Sequence, residues 1–176
     1  MRAELLKCNE FELFNLLPSF RVDLEILDQR YRNLQQQYHP DNFANQDIAL
    51  YNQSLQLSAL INSAYTTLKS PLLRSLCLLR LADLSLDLSH DTQLPMSFIV
   101  LQMETHEALD EAKMAKDINA LESLEITIKL QQNELIKQLE VEFKNNNMFT
   151  VKELTKQLAF CNKLVANVSE TINQLI

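Results

Sequence analysis

Across 176 residues the chain contains no glycine, where roughly 7% would be usual. Glycine serves the positive-φ turns of hairpins, the bulges of sheets and the close backbone approach of phosphate loops. A chain without it must turn on asparagine or aspartate and avoid architectures built from many tight reversals. The helix formers Leu, Gln, Glu, Lys and Ala dominate instead, so an all-α protein is expected. Nucleotide binding by a P-loop or a dinucleotide fingerprint is excluded on the same ground.

The formal charge of -7 is unevenly spread: residues 1–83 carry 8 basic and 9 acidic groups, residues 84–176 carry 8 and 14. All six arginines, at 2, 21, 30, 32, 74 and 80, lie in the first part. An acidic second half repels a phosphate backbone, which removes nucleic acid as a partner. No apolar run reaches the length of a membrane span, and Glu4, Glu10 and Glu12 stand where an export leader would be basic and then apolar. Cys8, Cys77 and Cys161 are odd in number and far apart, as suits reduced cytosolic thiols, and His90 and His106 are equally isolated. The expectation is a cytosolic protein without metal or cofactor.

In chain order, residues 1–8 read as a short extension, and Phe11, Leu13, Phe14, Leu16 and Leu17 as a first helix closed by Pro18. Asp23 suits an N-cap. The residues after it repeat Leu24, Leu27, Tyr31, Leu34 and Tyr38, a 3-4-3-4 spacing that puts all five on one helical face. Pro40 must end that helix near His39, because it lacks a donor and drives the preceding residue out of the α region. Asp41 then lies in a polar loop with Asn42, Asn45, Gln46 and Asp47. A further helix carries Leu57, Ile61, Ala64, Tyr65 and Leu68, and Ser70-Pro71 starts another that runs to about Ala82.

From 83 to 95 the helical period is lost in a stretch dense in Ser and Asp, which marks a domain boundary. Three long helical patterns follow, at about 95–115, 118–144 and 150–175, with Asn145-Asn146-Asn147 as a turn and Thr150 with Glu153 as a capping box. Short loops imply antiparallel neighbours, hence a three-helix bundle. In its first helix Phe98, Leu101, Thr105, Ala108, Leu109 and Ala112 share one stripe, which is assigned to the core. Ile99, Val100 and Met103 share a second face with Glu104, Glu107 and Glu111, within an arc of about 140°. An apolar face edged by acids, on a helix that already has a core face, marks a binding surface. In the last helix Val151, Leu154, Leu158, Cys161, Val165, Val168 and Ile172 form the core stripe, and Phe160 lies off its centre.

An amphipathic helix, then His39-Pro40-Asp41, then a helix with Ile61-Asn62, Ala64-Tyr65, Leu68, Pro71 and Arg74 resembles a J-domain, the module with which co-chaperones stimulate ATP hydrolysis by DnaK-type chaperones. Beyond it, Pro71-Leu72-Leu73-Arg74, Phe98 to Glu104 and Glu107 to Glu111 are similar to the HscB family, and the resemblance covers nearly the whole chain from about residue 9. It implies a J-domain over 1–83, an antiparallel helical hairpin with short flanking helices; a linker over 84–94; and a client-binding three-helix bundle over 95–176. It further implies a HscA-type chaperone contacted by His39, Pro40, Asp41, Arg30 and Arg32, with Arg21 near that surface. The iron-sulfur scaffold IscU would be held by Ile99, Val100, Met103, Glu104, Glu107, Glu111 and Phe160. In J-domains the residue after the motif is often lysine and the end of the second helix often basic; here they are Asn42 and Gln35-Gln36-Gln37, so the positive patch is thin. Two other readings are carried forward: a J-protein with a different client, and a small hydrolase using His39 as base and Asp41 as its orienter.

Overall fold

The computed structural model of the chain describes residues 2–44, 47–91 and 93–175. Asn45 and Gln46 of the expected polar loop lie outside them. The described residues are helical without strands, in the order α1 (Arg2–Leu5), α2 (Glu10–Leu13), α3 (Leu24–Tyr38), a 3₁₀ turn (Pro40–Phe43), α4 (Ile48–Lys69), α5 (Pro71–Leu81), α6 (Met96–Ala115), α7 (Ile118–Lys144) and α8 (Met148–Leu175). They form two compact units, Met1–Leu81 and Ala82–Ile176.

The missing glycine is answered at the helix ends. Four of the described residues take a positive φ: Asn15 (51°), Asp83 (56°), Lys116 (51°) and Asn146 (55°). Three of them close a helix in the same way. After α2, the Asn15 N–H donates to Glu12 O at 2.8 Å and the Leu16 N–H to Phe11 O at 2.8 Å. Lys116 and Asp117 repeat this pair on Lys113 and Ala112, and Asn146 and Asn147 repeat it on Phe143 and Glu142. These are Schellman closures, in which carbonyls of the last turn are satisfied by a residue in the left-handed region.

In unit 1, α3 and α4 form a hairpin onto which α2 and α5 pack. The core joins Phe11 and Phe14 to Leu27, Tyr38, Leu57, Ile61, Ala64 and Leu68. Asp23 caps α3 as its position foretold, its carboxylate accepting from the Glu25 and Ile26 amides at 3.0 and 3.1 Å. The extension is less idle than expected, since Leu5, Leu6 and Cys8 pack on the same core. Two expectations change. The first helix stops at Leu13, because the left-handed Asn15 ends it before Pro18 can. Leu24, at 44% exposure, leaves the stripe, as a first-turn residue with no element over it need not be buried.

On the outer edge of the hairpin, Tyr31 and Tyr65 stack at 4.0 Å between centroids. Tyr31 Oη donates to Asn62 at 3.0 Å, Gln35 donates to the same Asn62 oxygen, and Tyr65 Oη donates to Asp28 at 2.8 Å. The register of α3 on α4 is thus fixed by directional bonds as well as by burial. Arg74 is the buried counterpart. Only 6% exposed, it donates to Leu68 O and Phe20 O, each at 2.7 Å, and so satisfies the C-terminal end of α4 with a cation.

In unit 2, α7 and α8 pair along most of their length and α6 lies against both. Asp117 caps α7 by accepting from the Ala120 amide at 3.0 Å. The expected Thr150/Glu153 capping box is not there: α8 begins at Met148, and the carbonyl of Asn147 accepts the Val151 amide at 3.0 Å. The third asparagine of the turn starts the helix, which leaves Thr150 inside it.

Candidate functional site

α3 ends where proline dictates. His39, with φ -58° and ψ 134°, leaves the helix, and Pro40 opens a single 3₁₀ turn. Tyr38 and Phe43 on either side of this turn are 4% and 5% exposed, so both of its ends are anchored in the core of unit 1. Between the anchors the polar side chains point outward. His39 Nδ1 accepts the Asp41 amide N–H at 3.3 Å and lies 3.4 Å from Asp41 Oδ2, with the two side chains 52% and 88% exposed. The Asn42 side-chain amide donates to Gln36 O at 2.8 Å, one of the last carbonyls of α3. Asn42 therefore ties the turn to the helix.

The turn, anchored on both sides, displays an imidazole and a carboxylate. Neither group is enclosed, so the setting favours a charge-assisted contact with another molecule over general-base chemistry, which would need water excluded from the reacting atoms.

The expected arginines separate. Arg30 is half-buried, and its Nη1 donates to Phe14 O at 2.6 Å and to Asn15 O, tying α3 to the end of α2. Arg32 stands exposed beside Glu25, Asp28, Gln29 and Asn33. Of the two, Arg32 is the one whose guanidinium is presented to solvent.

On α6 the outer face forms as the periodicity foretold. Ile99, Val100 and Met103 are 37%, 47% and 60% exposed, and Glu104, Glu107 and Glu111 are all exposed. The inner face loses two of its expected residues. Leu101 turns outward and Gln102 takes its place in the seam with Phe98, Leu109 and Ala112; Ala108 is exposed as well. Phe160 of α8 is half-buried and sets the rotation of α6, packing edge-on against Phe98 at 6.2 Å and against His106 at 5.8 Å. Those two residues lie on either side of Gln102 along one ridge of α6, two turns apart. Phe160 is thus the α8 edge of the α6 surface, and the exposed His106 is its neighbour.

The thiols are quiet. Burial first, and then the Glu10 carboxylate beside it, pushes Cys77 up to about 11, and burial pushes Cys161 up to about 11. No group of His, Cys, Asp and Glu among the described residues is arranged to hold a metal ion, and none of their helices is long and apolar enough to cross a membrane.

A co-chaperone protein HscB homolog of Neisseria meningitidis serogroup A is 34% identical over 162 residues, 92% of this chain and 98% of that protein. The chain belongs to the HscB co-chaperone family. A family model described as the HSCB C-terminal oligomerisation domain matches residues 94–169, the span of α6, α7 and most of α8. Among solved structures, the chaperone HscB from Vibrio cholerae superposes with a TM-score of 0.85 at 30% identity, covering 96% of this chain and all of that one. The human co-chaperone HscB superposes with a TM-score of 0.84 at 30% identity, covering 95% of this chain and 81% of the human one. These HscB structures share the all-α architecture expected from the glycine-free composition.

Proposed function

We propose that this HscB-family chain is a non-enzymatic adaptor: its J-domain, residues 1–83, stimulates ATP hydrolysis by a HscA-type chaperone. Its three-helix bundle, residues 95–176 beyond the 84–94 linker, brings the iron-sulfur scaffold IscU to that chaperone. The observation that carries the reading is the His39-Pro40-Asp41 turn, which is anchored by Tyr38 and Phe43 and presents its imidazole and carboxylate outward. Asp41 offers a carboxylate to a cation on the chaperone, Arg32 adds a positive group from α3, and Arg30 acts mainly by holding α3 to the end of α2.

The α6 surface supports the second half of the reading. Its apolar strip of Ile99, Val100 and Met103, edged by Glu104, Glu107 and Glu111 and completed by Phe160, fits a partner that is apolar at the centre and basic at the rim. Like charges at i, i+3 and i+4 repel unless a cation relieves them, so docking of such a partner also eases strain on the helix. Holding client and chaperone on one chain raises the effective concentration of the client at the chaperone's substrate site. The setting that goes with this reading is the bacterial cytosol.

The test is a steady-state ATPase assay of the cognate chaperone with wild type and His39→Gln. Stimulation should vanish in the variant while its helical circular dichroism is unchanged; unaltered stimulation would refute the reading of the turn. Capture from the source cell on the immobilised chain should recover the scaffold protein, and recovery of another client in its place would redirect the assignment of the α6 surface.

A further inference from the structure

Unit 2 is unevenly built, and its weaknesses lie on α6. The seam of this helix consists of Phe98, Gln102, Leu109 and Ala112. In its middle Gln102, 8% exposed, buries a side-chain oxygen that has no hydrogen-bond partner. An orphaned buried carbonyl oxygen shifts an opening equilibrium by roughly tenfold or more. The N-terminus of α6 starts on Pro95 with no side-chain cap, whereas α3, α4 and α7 each start on an aspartate that accepts a backbone N–H. The C-terminus of α6 ends on Lys116 at φ 51°, a conformation that opposes a side chain carrying a Cβ.

The neighbouring helices lack this combination. The buried residues of α7 are Leu121, Ile128, Leu135 and Leu139, all apolar. The buried hydroxyls of α8 are satisfied within the helix, Thr155 Oγ1 donating to Val151 O at 2.7 Å and Thr171 Oγ1 to Asn167 O at 2.9 Å. α7 also ends in the left-handed region, but on Asn146, a residue type that tolerates it.

We propose that α6 opens from the α7–α8 hairpin as a unit while the hairpin stays folded, with Gln102 as the built-in weak point of the seam. In the open form the Gln102 oxygen regains water; in the closed form the contacts of Phe98, Leu109 and Ala112, with His106 against Phe160, hold the helix shut. Opening also divides the outer surface, because Ile99, Val100 and Met103 travel with α6 while Phe160 remains on α8. A partner that needs both helices binds the closed form and draws the equilibrium toward it. That last consequence rests on the scaffold-binding reading; the opening itself does not.

Hydrogen exchange read by mass spectrometry on the full chain, without any partner, tests the proposal. Amides of residues 99–112 should exchange at least about tenfold faster than those of 121–139 and 151–168. Gln102→Met, close in size and free of the amide, should slow α6 by about tenfold and leave the hairpin within about twofold; Gln102→Leu serves as a second apolar replacement of different shape. The proposal is overturned if α6 in the wild type is as protected as the hairpin. It is equally overturned if both variants leave α6 unchanged, or if they slow all three helices alike.

Discussion

Replacing Arg74 by methionine isolates what a buried cation does for the first unit. The methionine fills most of the space of the arginine stem, so the change is mainly the loss of two short hydrogen bonds, to Leu68 O and Phe20 O, both at 2.7 Å, and of a longer one to Lys69 O at 3.5 Å. Bonds from a charged donor contribute about 1.5–3 kcal/mol each, and the two carbonyls are left without it in a buried site. The contact of the guanidinium with the Phe20 ring, 5.7 Å from its centroid, is lost as well. Against this stands the desolvation of the cation, the same burial that holds the Arg74 pKa below its ordinary value. The balance is a destabilisation of about 3 kcal/mol, a large share of the stability of a unit this size. The assay is unusually clean, because all four tyrosines, Tyr31, Tyr38, Tyr51 and Tyr65, lie in unit 1 and the chain has no tryptophan. Tyrosine fluorescence in urea therefore reports on unit 1, and with a slope of about 1–1.5 kcal/mol per molar the midpoint should fall by about 2–3 M. A fall under about 0.5 M would refute the role given to these bonds.

Three other outcomes follow from the same structure. Lys116→Gly should stabilise unit 2 by about 0.5–1 kcal/mol, since relief of the left-handed penalty exceeds the added freedom of the unfolded chain; a lower urea midpoint by circular dichroism would contradict it. For Glu10, burial raises the carboxyl pKa, but its backbone bond, Cys77 and Arg80 together bring it below the ordinary 4.5. Its contribution is therefore present at neutral pH and lost as the pH falls through the carboxylate range. Glu10→Gln should melt below wild type at about pH 7, and the gap should close near about pH 3. Finally, an alkylating reagent at neutral pH should label the half-buried Cys8 before Cys77 and Cys161; mass spectrometry of tryptic peptides checks the order.

Much of this was legible because helix periodicity and stop signals are local. Asp23, Pro40 and Ser70-Pro71 each act on the backbone within a few residues, and the helices begin or end beside them. What escaped depends on neighbours distant in sequence. Leu101 and Gln102 lie on opposite sides of the α6 core stripe, each about 50° from its centre, so hydrophobicity alone favours Leu101. The choice is made by Phe160 of α8, which packs on Phe98 and His106 and draws their side of the helix inward. Arg30 likewise reads as a surface cation until the left-handed Asn15 places two carbonyls within its reach. Leu24 matched the stripe of α3, but periodicity does not reveal which turn of a helix has no neighbour over it.

The central claim is that one chain carries two separable contact surfaces, the His39-Pro40-Asp41 turn and the α6 face with Phe160. Its most direct test is the chaperone ATPase rate titrated with the scaffold protein in the presence of wild type, His39→Gln or the double variant Met103→Ala, Phe160→Ala. The double variant should keep the stimulation seen without scaffold and need far more scaffold for the further rise, while His39→Gln should lose stimulation and still bind scaffold in calorimetry. Loss of both properties in either variant, with its helicity intact, would contradict the separation.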